Sequence, residues 1–276
     1  MRFGEYFGIE LRLHWSFLAV AAWIGLTVLS QTGSVLVATS LLISLGSIFA
    51  CVALHEYGHA LMARHYGIET LEITLLPIGG VARLERLPED PKQELWIALA
   101  GPATNFVLAG GLAILHWLVA GSTAGLLPIN LFNGSLLSTL FGVNIIMGVF
   151  NLLPALPMDG GRVLRALLSL RMPALRATGI ATTLARALAA VMIVYGLVEG
   201  GLMLALIGGF VWMTARTEYQ NAVLMERMKA ARSGQGHRTG PGEHPSLDPP
   251  NEWVQPQVTK PGRKTFIMRG KDDRAH

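Results

Sequence analysis

Two long stretches without a charged side chain dominate this sequence. Residues 13–55 and residues 95–158 contain no Asp, Glu, Lys or Arg, and only 14% of all residues are charged. An α-helix needs roughly 20 apolar residues to cross a bilayer, so each stretch has room for two spans divided by a turn. The pattern excludes an ordinary water-soluble globule and predicts a polytopic membrane protein.

Turn residues divide the apolar sequence into six predicted spans. They cover about residues 16–30, 35–64, 95–119, 136–154, 179–198 and 201–215. Between the second and third spans, ITLLPIGGVARL is apolar but interrupted by Pro77 and by Gly79-Gly80. We therefore predict an all-α polytopic membrane protein with about six transmembrane helices and a short re-entrant or β-like loop.

The composition changes after the last predicted span. Residues 1–217 are predicted to form the membrane domain, and residues 218–230 a short amphipathic helical extension. Residues 231–276 are rich in Pro, Gly and charge and hold too few apolar residues for a core, so we expect a disordered cytoplasmic tail.

Lys and Arg predict the orientation, because they are enriched in cytoplasmic loops. They fall in the loops on one side of the six spans, whereas the three opposite turns contain none. We expect both termini to be cytoplasmic and the protein to lie in the plasma membrane of a prokaryote. Arg186 is an exception, because it lies inside the predicted fifth span. Either its side chain extends to the membrane surface, or it lines a water-filled cavity, or the span begins after it.

The sequence His55-Glu56-x-x-His59 lies near the end of the second span. On a helix this spacing places both imidazoles on one face, where they can bind one Zn²⁺ with Glu56 as a general base. The alternative is a pair of hydrogen-bonded core histidines with Glu56 snorkelling to the surface.

A catalytic zinc usually has three protein ligands. Cys51 is a poor third ligand because it lies about 12 Å from His59 along a helix axis, so we interpret it as a core residue. His65 faces away and is interpreted as an interface residue. Asp159 is the better candidate, since it is the one carboxylate between Glu94 and Glu199. Its alternative role is to cap a helix that begins at Gly160.

These motifs resemble the site-2 protease family of intramembrane zinc metalloproteases. His55-Glu56-Tyr57-Gly58-His59 matches the first family motif, and the second is matched by Asn151, Pro154, Asp159 and Gly160. GIELRLHWSF, PIGG and AGPATN are also similar, and the resemblance covers about residues 8–217. This chain looks like a compact form, without the PDZ or CBS domains that many members carry.

The resemblance implies one zinc ion per chain, bound by His55, His59 and Asp159, with Glu56 as catalytic base. It further implies that Asn151 positions substrate or stabilises the oxyanion. Asn105, Gly79 and Gly80 are weaker candidates for substrate contact, and Asn105 lies in a segment that equally suits helix packing. The loop around Gly79 and Gly80 either pairs with an extended substrate or plugs the mouth of the site.

The function expected from the resemblance is endoproteolysis of membrane-anchored proteins, which releases regulators or clears membrane remnants. The expected partners are such a protein substrate and the lipid bilayer; no nucleic-acid partner is expected. One alternative is a non-catalytic zinc-binding membrane protein of the same fold, against which the intact Glu56 argues. A second is a metal transporter, which would need polar residues along several spans.

Overall fold

The computed structural model describes residues 1–77, 79–88, 90–127 and 135–236, with side chains as far as Met228. The strands are β1 (Arg2–Tyr6), β2 (Ile9–Leu13), β3 (Thr70–Leu76) and β4 (Gly79–Leu84). The helices are α1 (Trp15–Thr32), α2 (Val35–His65), α3 (Pro91–Ala120), α4 (Leu136–Asn151), α5 (Asp159–Ser169), α6 (Ala174–Val198) and α7 (Leu202–Gly236). The predicted tail falls largely outside the described residues.

Four helices of the described ranges are long and apolar enough to cross a membrane, namely α1, α2, α3 and α6. Their length and composition indicate an integral membrane protein. The predicted count of six is not confirmed, for two physical reasons. The fourth predicted span corresponds to α4, which has only 16 residues. The sixth lies in α7, where Arg216 and Glu218 follow the apolar residues closely.

Side chains and glycines at the predicted turns delimit the helices. Ser34 and Ser135 accept hydrogen bonds from the backbone N–H groups of Val37 and Ser138 at the starts of α2 and α4. Gly33 ends α1 in the left-handed region at φ 65°, where a residue without Cβ has no steric penalty. The turn predicted between the first two spans is therefore present.

The β-like loop is a β3–β4 hairpin within a four-stranded sheet of order β1-β2-β3-β4. Strands β2 and β3 pair in parallel, and the other neighbours pair antiparallel. The N-terminal strands were not predicted, although IELRL alternates apolar and charged residues as a half-buried strand does. Apolar residues of β2 and β3 form a core with α2; it comprises Ile9, Leu11, Ile73, Leu75, Ala53, Tyr57 and Ala60.

Helices α6 and α7 pack through small residues, and the exposed side chain of Arg186 lies against α7. Ala181, Ala185 and Ala189 recur at every fourth position of α6 and are completely buried, a spacing that permits close helix contact. The Arg186 guanidinium carbon lies 4.4 Å from the centroid of the Trp212 ring on α7. Helix α6 continues unbroken through Arg186, and the guanidinium group makes a cation–π contact with Trp212.

Candidate metal centre

The two predicted histidine ligands lie on the C-terminal half of α2, one helical turn apart. Their rings are 4.8 Å apart between centroids and nearly perpendicular. Nε2 of His55 lies 3.2 Å from Nε2 of His59. The side chain of His55 is 6% exposed and that of His59 is 14% exposed, so the pair points into protein and not toward lipid.

Asp159 reaches the histidine pair from the first residue of α5. The chain turns sharply between α4 and α5, and a Cβ at Gly160 would overlap the carbonyl oxygens of Leu152 and Leu153. Oδ2 of Asp159 lies 3.2 Å from Nε2 of His55 and 3.1 Å from Nε2 of His59. Helix α5 begins at Asp159 itself, with Met158 as its N-cap. The carboxylate therefore faces the histidines, whereas the capping alternative placed it at the end of a helix starting at Gly160.

The three facing atoms have the spacing of zinc ligands. Bonds of about 2.0–2.1 Å in a tetrahedral site place neighbouring ligand atoms about 3.3 Å apart, and the three observed distances are 3.1–3.2 Å. Two histidines and a carboxylate form a donor set that Zn²⁺ accepts, and three protein ligands leave a fourth position open. Among the described residues, this group is the one identified as able to hold a metal ion.

The ionisation of Asp159 also suits a cation site. This residue belongs to α5, which is not one of the four spanning helices. Burial opposes ionisation of its carboxyl group, but in the metal-free chain the neighbouring His55 and His59 side chains outweigh that effect and hold the pKa well below its usual range. Asp159 is therefore ionised at neutral pH and contributes negative charge to the group.

Helix α3 supports both histidines from behind. Nδ1 of His59 lies 2.7 Å from the carbonyl oxygen of Ile97, and Nδ1 of His55 lies 3.0 Å from Nδ2 of Asn105. Between these contacts, a Cβ at Gly101 would overlap Nε2 of His59. Ile97, Gly101 and Asn105 recur at every fourth position, so one face of α3 packs on the histidine pair.

Glu56, the predicted base, is half-buried next to the sheet. A Cβ at Gly80 would lie 2.5 Å from Cγ of Glu56, so the backbone of β4 approaches this side chain directly. Within the described residues, the Glu56 carboxylate has no hydrogen bond or ion pair. Gly79 begins β4 at φ 142°, a conformation that favours glycine.

The other candidates are not part of the group of three possible ligands. Asn151 is the last residue of α4 and is half-buried. Asn105 is completely buried and contacts His55. Cys51 is a core residue, as the sequence predicted, and its Sγ accepts a hydrogen bond from Asn144. His65 is exposed at the end of α2 and contacts the Tyr66 ring.

An ion pair connects α3, which packs on the histidine pair, with α5, which carries Asp159. Arg165 of α5 donates hydrogen bonds to Glu94 of α3, with Nε 2.7 Å from Oε1. Both side chains are largely buried, at 22% and 16% exposure. The residue patterns of the sequence did not indicate this pair or the roles of Ile97 and Gly101. Ile97, Gly101 and Asn105 recur at every fourth position, which indicates that they share one face of a helix. Without the fold, this pattern does not show which residues that face contacts.

Comparisons with known proteins agree with this architecture. The profile of peptidase family M50 matches residues 43–133 and 130–194. A zinc metalloprotease of Methanocaldococcus jannaschii is 36% identical over 219 residues, which are 79% of this chain and 60% of that protein. Rip3 of Mycobacterium tuberculosis is 34% identical over 259 residues, or 87% of this chain and 64% of that protein. This chain thus spans about 60% of the length of these two relatives.

A solved structure shows the same fold. It is a site-2 protease from Methanocaldococcus jannaschii, with 36% sequence identity and a TM-score of 0.57. The match covers 79% of this chain and 94% of that one. The family profile extends over the histidine pair and Asp159 alike, and the donor set fits zinc. The chain therefore belongs to peptidase family M50 and to its site-2 protease type of zinc metalloprotease.

Proposed function

We propose that this protein is a zinc-dependent endopeptidase that hydrolyses peptide bonds in or near the transmembrane segments of membrane-anchored proteins. The observation that carries the proposal is the convergence of His55, His59 and Asp159 to within 3.2 Å, with Glu56 adjacent in sequence. Membership in a family of zinc metalloproteases supports it.

In this proposal His55 and His59 supply Nε2, and Asp159 supplies a carboxylate oxygen, to one zinc ion per chain. Zinc in such a site polarises a carbonyl group and lowers the pKa of water toward 7. The protein's part is to fix the donor atoms and to surround them with a protein environment. Burial of His55 and Asp159 at 4% and 8% exposure supports this role.

Glu56 is the proposed general base and acid. Its carboxylate accepts a proton from the attacking water and returns the proton to the nitrogen of the leaving amine. A carboxylate held in a strong ion pair would be poorly suited to this exchange. The absence of such a partner for Glu56 among the described residues therefore supports the assignment.

Strand β4 is the proposed site for the unwound substrate. A peptide bond within a membrane helix must lose its helical hydrogen bonds before hydrolysis, and unpaired amides in hydrocarbon are costly. In the described sheet β4 is an edge strand, so its outer side is available to an extended peptide. Because Gly80 has no side chain, a bound strand could pass close to Glu56. Gly79, the first residue of β4, is proposed to belong to the same substrate-binding strand.

Asn151 is proposed to contact the substrate or the oxyanion, since it ends α4 immediately before the turn that delivers Asp159. The Lys- and Arg-rich side of the protein, on which this turn is predicted to lie, is proposed to be cytoplasmic. Release of a cytoplasmic regulator and clearance of membrane remnants are the two proposed outcomes of cleavage, in the plasma membrane of a prokaryote.

The test uses the purified full chain in liposomes with synthetic single-span peptides as probes. One peptide has a Leu/Ala span, and a second has Asn-Gly-Pro at the centre of the same span to weaken its helix. Mass spectrometry should detect cleavage by the wild type, faster for the weakened helix, and none by Glu56→Gln with its zinc retained. Intact peptides after incubation with the zinc-loaded wild type would favour the non-catalytic alternative.

A further inference from the structure

Both histidines can bind a metal through Nε2 only if the proton of each neutral ring resides on Nδ1. A neutral imidazole carries one proton, and the unprotonated nitrogen supplies the lone pair for the metal. The two Nε2 atoms face Asp159. The groups that contact Nδ1 therefore determine whether the site is ready for a metal.

The hydrogen-bond partner of His59 determines which nitrogen of its neutral ring carries the proton. A backbone carbonyl oxygen can only accept a hydrogen bond, and Nδ1 of His59 lies 2.7 Å from the carbonyl oxygen of Ile97. Nδ1 of His59 consequently donates its proton to Ile97. Its Nε2 then presents a lone pair toward Asp159 and His55.

The partner of His55 permits two arrangements. The Asn105 amide lies against Nδ1 of His55 and can present either its NH₂ group or its oxygen there. With Nδ2 as the neighbour, at 3.0 Å, the amide donates to Nδ1 and the ring proton must sit on Nε2. In this orientation, Oδ1 of Asn105 is buried without a hydrogen-bond partner among the described residues.

We infer that Asn105 is a positioning residue for the metal site, and that its Oδ1 accepts the Nδ1–H of His55 when metal is bound. A half-turn of the amide exchanges oxygen and nitrogen without changing the shape of the side chain. It lets Oδ1 accept the Nδ1–H of His55, frees the lone pair of Nε2, and moves the NH₂ group to the position that Oδ1 occupied. This inference rests on the proposed zinc site and makes α3 the element that orients both histidines.

Burial distinguishes this role from direct contact with substrate. The Asn105 side chain is 0% exposed and lies behind the His55 ring, on α3. A substrate could reach this amide only by displacing the packing between α2 and α3. Hydrogen bonds to the outer nitrogen of a metal-bound histidine typically change metal affinity by about 10- to 100-fold.

The experiment measures Zn²⁺ and Co²⁺ binding by the metal-stripped full chain in detergent, with a competing chelator and the Co²⁺ absorption spectrum as readouts. Asn105→Leu removes the acceptor, whereas Asn105→Asp keeps an acceptor oxygen. Asn144→Leu is the matched control, because Asn144 is also completely buried but its Nδ2 donates to Cys51 and to the Leu140 carbonyl.

Asn105→Leu should weaken binding of both metals at least about tenfold and shift the Co²⁺ spectrum. Asn105→Asp and Asn144→Leu should stay within about threefold of the wild type. Wild-type affinity and spectrum in Asn105→Leu would overturn the inference, and so would an equal loss in the Leu and Asp variants. If Asn105→Leu also loses peptide cleavage while binding metal normally, the proposed function stands and the positioning role fails.

A second measurement on the zinc-loaded wild type avoids any dependence on folding of the variants. Two-bond ¹⁵N–¹H correlation spectra of histidine-labelled protein distinguish protonated from unprotonated ring nitrogens. The inference requires that His55 and His59 both show a protonated Nδ1. A protonated Nε2 on His55 would overturn it.

Discussion

The two halves of α2 differ in composition and in surroundings. From Val35 to Phe49, Ala38 is the one buried residue, and large side chains such as Leu36 are 78% exposed. The half that ends at His65 buries Cys51, Ala53, His55, Tyr57, Ala60 and Ala63. The strongly apolar half is thus largely uncovered by protein, and the His and Glu residues of the candidate site lie in the half that protein covers.

The difference shows what small residues do in this fold. In the covered half, the α2–α3 contact is too close for larger residues, since a Cβ at Gly58 would lie 2.8 Å from the Ala100 carbonyl oxygen. Small residues permit such approaches between membrane helices. In the exposed half of α2, most side chains are not covered by the described residues, so we expect substitutions there to be tolerated.

The largest effect should come from Glu56→Gln in the covered half. Loss of the general base should reduce cleavage of the single-span peptides by about 10³-fold, within the range for a positioned base. Zinc content should remain at the wild-type level, because Glu56 is not among the three ligand residues. Glu69→Gln, at an exposed position before β3, is the control and should cleave normally. Comparable cleavage by Glu56→Gln and the wild type would remove Glu56 from the mechanism.

The next effect concerns the sheet that covers α2. Ile73→Ala creates a cavity at a completely buried side chain between β3 and α2. We expect a loss of about 3 kcal/mol in the free energy of unfolding, measured by SDS titration in detergent. Leu71→Ala on the same strand, where Leu71 is 49% exposed, should cost much less. Equal losses at both positions would contradict the packing of β3 against α2.

Gly101→Ala tests the support from α3. The added methyl group would overlap Nε2 of His59, so the histidine or the helix must shift, and we expect metal affinity to fall about 10- to 100-fold. The control is Gly110→Ala on the same helix, because no atom lies within 4 Å of a Cβ there. Competition with a chelator measures both variants. Unchanged affinity in Gly101→Ala would show that α3 does not constrain the histidines.

The smallest effect should come from the exposed half of α2. Leu36→Ala removes a side chain that packs on little protein. We expect the free energy of unfolding to change by no more than about 0.5 kcal/mol, and metal affinity to stay constant. A loss comparable to that of Ile73→Ala would mean that a partner or a second copy covers this half.

The local parts of this structure could be predicted from the sequence. The charge-free stretches indicated membrane helices, and the spacing of His55 and His59 placed two ligands on one helical face. Both features depend on residues within a few turns of each other. The N-terminal strands carried an alternating pattern as well, but it covers only five residues, and the pairing with β3 depends on the fold.

The long-range parts could not be predicted from residue patterns alone. Asp159 is 100 residues from His59 in sequence; as the one carboxylate between Glu94 and Glu199 it was the better candidate, and the family resemblance implied it as a ligand. Asn105 looked equally suited to substrate contact and to packing, because the sequence does not show that its amide meets His55. The count of spans was uncertain for a different reason, since hydropathy does not determine where α4 and α7 enter or leave the membrane.

The central claim is that His55, His59 and Asp159 together hold one zinc ion. The most direct test is the metal content of the purified, detergent-solubilised protein, measured for the wild type, His59→Ala and Asp159→Ala. The account predicts about one zinc per chain in the wild type and little in either variant, because two ligands hold zinc poorly. Full zinc content in Asp159→Ala, or no tightly bound metal in the wild type, would contradict it.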